Sequence, residues 1–507
     1  MNKQLIFSNL RLHEMVGFIK KWPVFLFLLP VFFVLHGSVE NFDLIPTGDA
    51  TLLILFYEGV AFLFLGLCWL YYKNFIKSAL LAFIILAYQF FFGSLQDILK
   101  INFPGSFFSR YSFLLPCSLI FFFMIVIRLK KRKRSLERLL FYLNLLLLIS
   151  IATDILLIAG KTIFLKKNNP LVTHANEKFI PCDSCAKPDI YFIIADEYAG
   201  NEALKKILNF DNTPFLNELK TRGFHISEQS RSNYYSTRLS VASMLNMNYL
   251  DIRPAMTENE KIRYSYSITK NSRLPEFLKR SGYRFYNYSI FDFAGEPSPV
   301  NQSFLPNKTQ LITAQTFTNR LIKDIRTDVA SGKLPYKSIL RNFIYINLRN
   351  NEKVLRLTHE TAAASAGEPK FVYTHLLMPH YPYYFDSSGK NFPTDSLMKG
   401  SESDPGRYIQ YLVYCNKQIL KLIDDILANS VSRPIIILIG DHGFRHYKTT
   451  TPEKYYFMNL NAIYLPDGDY HLFYQDMTTV NLFRMILDAQ FRQHLPLIKD
   501  STVSLVK

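Results

Sequence analysis

Two short motifs put carboxylates beside an imidazole or beside each other: Asp196-Glu197, and Asp441-His442 followed by Gly443. Carboxylate oxygens with a histidine nitrogen make an ordinary shell for zinc or manganese. A third motif, NYYSTRLSVASMLN from Asn233 to Asn246, sets hydroxyl residues, Thr237 among them, immediately before an apolar helical pattern. A hydroxyl in that place caps a helix. The unpaired N–H groups and dipole of the same helix end favour an anion, so Thr237 is also a candidate nucleophile toward a phosphate or sulfate ester. A neighbouring metal would lower its pKa and neutralise the developing oxyanion. His375 and His380, in HLLMPHYP, are readable singly as packed or surface residues. Paired, they are candidates to bind a second metal, hold a phosphoryl oxygen or protonate a leaving group. His446, four residues beyond His442, is either a rim histidine or a further candidate.

These residues need elements to bring them together. Residues 189–195 (DIYFIIA) and 434–439 (PIIILI) are short, continuous apolar runs rich in Ile, as expected of central strands covered on both faces, and 370–377 is a third. Helical patterns occupy 201–208, 214–221, 237–246, 274–280, 408–428 and 479–489. This alternation predicts an α/β domain with a mainly parallel sheet. Asp196-Glu197 and Asp441-His442 directly follow the two most hydrophobic strands. In open α/β sheets the carboxyl ends of strands form the ligand crevice, so both motifs are expected to face one site.

The first third of the chain is different. Of 507 residues, 49% are hydrophobic and 20% charged, and the apolar ones are concentrated before residue 160. Stretches 22–38, 51–72, 75–95, 111–129 and 139–159 approach the ~20 apolar residues that a membrane helix needs. Lys3, Arg11, Lys20 and Lys21 precede the first, Lys73 and Lys77 follow the second, and a basic run from Arg128 to Arg138 separates the fourth from the fifth. Positive loops stay in the cytoplasm, so five spans place everything after residue 160 outside it. The expected organisation is a five-helix transmembrane domain over 1–160, a linker over 161–187 and an extracytoplasmic domain over 188–507. Asn144 and Asp154 are polar at membrane depth and read either as a lipid-headgroup or ion site or as helix–helix contacts. Cys182 and Cys185 read as a local disulfide, two plain thiols or half a zinc site that lacks two nearby ligands. A formal net charge of +17 does not require nucleic acid, because much of it flanks the spans, where anionic headgroups account for it.

Taken in order, IIADEY, the hydroxyl-led helix, HLLMPHYP and IGDHG resemble the alkaline phosphatase and sulfatase superfamily over roughly residues 188–450. Five spans before such a domain resemble the membrane-anchored phosphoethanolamine transferases and lipoteichoic acid synthases. Thr237 with Ser240 three positions on, and the spacing of His375, His380 and Pro382, are similar to the transferase pattern. The resemblance implies an alkaline-phosphatase-like three-layer domain. It also implies a metal shell of Asp196, Thr237, Asp441 and His442, with Glu197 as a further carboxylate, and Zn or Mn as the metal. Thr237 would be the nucleophile, and His375, His380 and His446 would lie toward substrate or a second metal. A true sulfatase needs Cys or Ser at the first position of a C/S-x-P-x-R motif to make formylglycine, and Thr237-Arg-Leu-Ser240 has neither that residue there nor the Pro.

The implied activity is transfer of a phospho-headgroup, phosphoethanolamine or phosphoglycerol in type, from a phospholipid donor to a surface glycan or lipid acceptor through phospho-threonine. The implied location is a bacterial-type inner membrane with the catalytic domain periplasmic. A phosphate or sulfate ester hydrolase of the same superfamily is the alternative. A membrane-anchored binding or assembly protein with a degenerate site is the alternative from another class.

Overall fold

Strand β1 (Ile190–Ala195) is buried at every position, and so are β4 (Lys370–Leu376) and β5 (Ile435–Gly440). Such runs have no polar face to turn outward, so they occupy the middle of a sheet. The computed structural model describes residues 17–167, 179–180, 182, 184–253, 256–300, 308–330, 344–364, 367–398, 401–447 and 450–504. It divides into two units: Met1–Pro170 with Pro306–Thr327, and Leu171–Leu305 with Asp328–Lys507.

The second unit is built on a six-stranded sheet in the order β2 (His225–Ile226), β6 (Asn461–Tyr464), β5, β1, β4, β3 (Arg284–Tyr288). β1 runs parallel to both neighbours, β3 is parallel to β4, and β6 is antiparallel to β5 and β2. Helix α6 (Thr237–Asn246) packs with α7 (Glu258–Lys270), α8 (Arg273–Arg280) and α11 (Thr479–Phe491), while α9 (Ile346–Ala363) packs on β4 and on α10 (Pro405–Asn429). The α/β expectation with a mainly parallel sheet therefore holds. Register is what matters for the site. Ala195 lies level with Gly440 on one side and Leu376 on the other, so Asp196 and Asp441 leave adjacent strands side by side.

The first unit contains helices α1 (Phe25–Glu40), α2 (Thr47–Tyr72), α3 (Phe75–Asn102), α4 (Tyr111–Lys131) and α5 (Glu137–Lys167). Four of them, α2 to α5, are long and apolar enough to cross a membrane. The expected first span is the shorter α1, of 16 residues. A helical turn at 17–21 precedes it and breaks at residues 22–24, around Pro23. Asn144 repairs that break: its Oδ1 accepts the Phe25 N–H at 2.5 Å, and its Nδ2 donates to the carbonyls of Ile19 and Trp22. Asp154 meets His36 Nδ1 at 3.2 Å. Both polar residues thus serve contacts between α5 and the α1 segment.

Residues 308–327 also belong to this unit, although the sequence reading kept 188–507 together. The Gly93 N–H donates to the Gln315 carbonyl at 2.8 Å, and Arg320 holds Asp97 through two hydrogen bonds of 3.0 and 2.6 Å. A Cβ on Gly93 would lie 2.3 Å from that carbonyl oxygen, so only glycine allows the approach. Of the expected linker, 168–178, 181 and 183 lie outside the described residues. Cys182 and Cys185 form a disulfide.

Candidate active site

β1 ends at Ala195, and the chain turns through Asp196 and Glu197, the latter with φ of 63°. A left-handed conformation at a non-glycine residue costs ~1–3 kcal/mol and persists where the surroundings over-determine it. Here the Glu197 N–H donates to Asp441 Oδ1 at 3.0 Å. The Tyr408 hydroxyl donates to the Glu197 carbonyl at 2.8 Å and accepts the Ala199 N–H at 3.1 Å. β5 ends at Gly440, where a Cβ would meet the Tyr198 carbonyl oxygen at 2.5 Å, and at Gly443 it would meet that of Met458 at 2.4 Å. Glycines on both sides of Asp441-His442 therefore let this turn press against its neighbours.

His442 Nδ1 lies 2.8 Å from the Gly443 carbonyl, which can only accept, so Nδ1 carries the proton. Nε2 then turns its lone pair toward Asp441 Oδ2 at 3.3 Å, Asp196 Oδ1 at 3.9 Å and Thr237 Oγ1 at 3.1 Å. Thr237 is the first residue of α6, after an extended Ser236 that makes no side-chain cap. Its hydroxyl is thus directed into the cluster and does not close the helix end. Ser240, one turn on, donates to the Asp441 carbonyl at 2.5 Å and fixes the helix to the turn.

Ligand atoms of Asp196, Asp441 and His442 all lie within 4.8 Å of one another. Tetrahedral zinc bonds of ~2.0–2.2 Å separate ligand atoms by about 3.4 Å, close to the spacings here. Asp196 Oδ1 and Asp441 Oδ2 are buried without a hydrogen-bond partner, which is costly unless a cation meets them. Burial, followed by the charge of Asp196, raises the Asp441 carboxyl well above the ordinary range. Burial would raise Asp196 too, but the imidazoles of His380 and His375 hold it well below. Burial, then the charge of Arg445, keeps His442 in its neutral form. The donor set fits one divalent ion.

The other histidines divide. His375 stands behind Asp196, with Nε2 3.3 Å from Asp196 Oδ2 and Nδ1 3.0 Å from the Tyr373 hydroxyl. His446 Nε2 lies 3.4 Å from Glu197 Oε1 and 3.3 Å from Glu402, and His380 Nε2 lies 3.9 Å from Glu197 Oε2. Glu197 thus looks toward His380 and His446 and away from the Asp196–Asp441 pair. Between them is Arg445, which the sequence reading passed over. Its N–H donates to Glu197 Oε1 at 3.0 Å, its Nε is 3.6 Å from the same oxygen, and its Nη2 donates to His380 Nε2 at 3.4 Å. The side chain keeps 28% of its surface exposed.

The sequence pattern of the Sulfatase family matches residues 188–493, more than half of the chain and all of the site. The chain belongs to the sulfatase family. Its place is in the alkaline phosphatase and sulfatase superfamily, with apolar helices preceding the α/β domain. A comparison of this sulfatase-family chain with curated proteins returns no match. Among solved structures, it is similar to the C-terminal periplasmic domain of EptC from Escherichia coli in complex with Zn, with 16% identity and a TM-score of 0.37 over 62% of this chain and 86% of that one. It is similar to the integral membrane lipooligosaccharide phosphoethanolamine transferase A (EptA) of Neisseria meningitidis, with 14% identity and a TM-score of 0.36 over 94% and 95%. A Bacteroides thetaiotaomicron glycosaminoglycan sulfatase is 13% identical, with a TM-score of 0.34 over 60% and 72%. Likeness this distant transfers no activity.

Proposed function

We propose that this sulfatase-family chain is a membrane-anchored, metal-dependent transferase that moves a phospho-headgroup from a phospholipid to a cell-surface glycan or lipid through phospho-Thr237. The observation that supports it is the Thr237 hydroxyl at the start of α6, 3.1 Å from His442 Nε2, in a position where no residue convertible to formylglycine stands. Asp196, Asp441, His442 and Thr237 would hold a zinc or manganese ion. The ion, when bound, would make the Thr237 hydroxyl more acidic and neutralise charge developing on the phosphoryl group.

In the first step Thr237 Oγ1 loses its proton and forms a bond to phosphorus, the bond from phosphorus to the diacylglycerol oxygen breaks, and that oxygen takes a proton. In the second, the acceptor hydroxyl loses its proton and forms its bond to phosphorus, the bond from phosphorus to Thr237 Oγ1 breaks, and Oγ1 takes a proton. The free N–H groups at the start of α6 favour the anionic group being transferred. Arg445 offers guanidinium donors to its non-bridging oxygens, and His380 Nε2 and His446 Nε2 are the imidazole nitrogens nearest that guanidinium and Glu197. Anchoring to a bilayer keeps such a site at high effective concentration of lipid donor.

The test is the intact mass of the full-length protein from its native membrane beside Thr237→Ala. A Thr237-dependent adduct is expected, and its mass names the headgroup. Undiminished turnover by Thr237→Ala rules out the nucleophile.

A further inference from the structure

The helical unit contains a cavity of about 650 Å³ among the end of α1, residues 41–45, the first two turns of α2 and the end of α5. Its walls are Leu35, Phe42, Ile45, Ala50, Ile54 and Ile158, with Ser38, Asn41, Asp43, Thr47, Thr51 and Thr162 between them. Four of the polar residues spend their donors on the chain itself. Ser38 Oγ donates to the Val34 carbonyl, Thr51 Oγ1 to Thr47, Thr162 Oγ1 to Ile158, and Asn41 Nδ2 to Gly37. Each of these four donors is consumed by a backbone carbonyl of its own segment, four residues back, which leaves Asp43 and Thr47 as the polar lining residues not tied up in this way. Loop charges put this end of the spans on the non-cytoplasmic side. Lys161, beside Ile158 and Thr162 in the chain, donates to the Val39 carbonyl at 2.6 Å and lies over the Phe42 ring, so a cation stands at this end of the helices.

We infer that the cavity holds one acyl chain of a bilayer glycerophospholipid, with the phosphate toward Lys161. A volume of this size is in the range of small-ligand sites, its wall is mostly apolar, and hydrocarbon chains are the apolar solute at that depth. The charge of Lys161 complements the phosphate of such a lipid. The inference does not rest on the transferase reading, because it concerns the helical unit and needs no turnover.

The experiment uses the full-length protein in bilayer discs of phosphatidylethanolamine and phosphatidylglycerol, released into mild detergent and weighed by native mass spectrometry. Wild type should retain a phospholipid adduct, Ala50→Phe, which fills the cavity, should lose it, and Leu55→Phe, on an exposed position of α2, should keep it. Equal retention by all three overturns the inference. Should Ala50→Phe not fold, wild type in discs doped with a phospholipid bearing a photoactivatable acyl chain gives the answer alone. Crosslinks at Leu35, Ile54 and Ile158 are expected; labelling confined to exposed positions such as Leu52, Leu55 and Phe56 overturns it.

Discussion

Asp196 and Glu197 are neighbours in the chain and both fully buried, yet they face opposite electrostatics. Asp196 has His375 behind its Oδ2, while its Oδ1 faces Asp441 and the neutral His442, and Asp196 Oδ1 and Asp441 Oδ2 lack a hydrogen-bond partner. Glu197 has the guanidinium of Arg445 and the imidazoles of His446 and His380. The first pole, the side of Asp196 that faces Asp441, meets a second carboxylate and suits an added ion; the second, Glu197, faces a guanidinium built into the chain. A buried carboxylate is tolerated only when a counter-charge accompanies it, and this turn uses two different solutions a residue apart.

Breaking the first pole should have the largest effect. Asp441→Ala is expected to reduce metal content, measured by elemental analysis of the purified protein, to near zero and turnover to background. A chelator should do the same to wild type and lower its thermal midpoint, with zinc or manganese restoring both, because an ion that binds only the folded state stabilises it. Removing the built-in cation separates the poles: Arg445→Ala should cost about 10²–10³ in turnover with metal stoichiometry unchanged. Arg445→Lys should recover only part of this, since an ammonium cannot reproduce the guanidinium fork. His375→Ala should weaken metal affinity about 10–100-fold in a competitive chelator titration, because it orients Asp196 from behind. Smallest of all, Tyr408→Phe should lose about 1–3 kcal/mol in denaturant unfolding, from the Glu197 carbonyl and Ala199 N–H left without their partner.

Much of the first pole was legible in the sequence. Continuous Ile-rich apolar runs suit central strands, so the residues that follow them, Asp196 and Asp441, were expected to emerge at one sheet edge. The hydroxyl-led helix start at Thr237 completed the set. The second pole was less visible. Arg445 is one of 58 Lys and Arg residues, and nothing local distinguishes it. His375 looked like a partner of His380, but it lies within β4, level with Ile194 of β1, and strand register sends it behind Asp196. Such a placement depends on residues 180 positions away and leaves no local pattern. Helix α7 did carry a readable start, the Thr257–Glu260 capping box, which went unread between residues 250 and 370. The Phe317–Ala330 helix had no comparable signal for its location, since its partners Gln89 and Asp97 sit more than 200 residues earlier.

That last helix has a practical consequence. The chain enters the helical unit twice, once at its beginning and again at 308–327, so no single cut separates the two units cleanly. A fragment beginning near residue 188 would carry Ile312, fully buried in the whole chain, together with Phe317 and Arg320, into water without the rings and carboxylate they meet. Solubility of such a fragment would then be governed by a segment remote from its sheet, and excising that segment is the change that should let the fragment be handled without detergent.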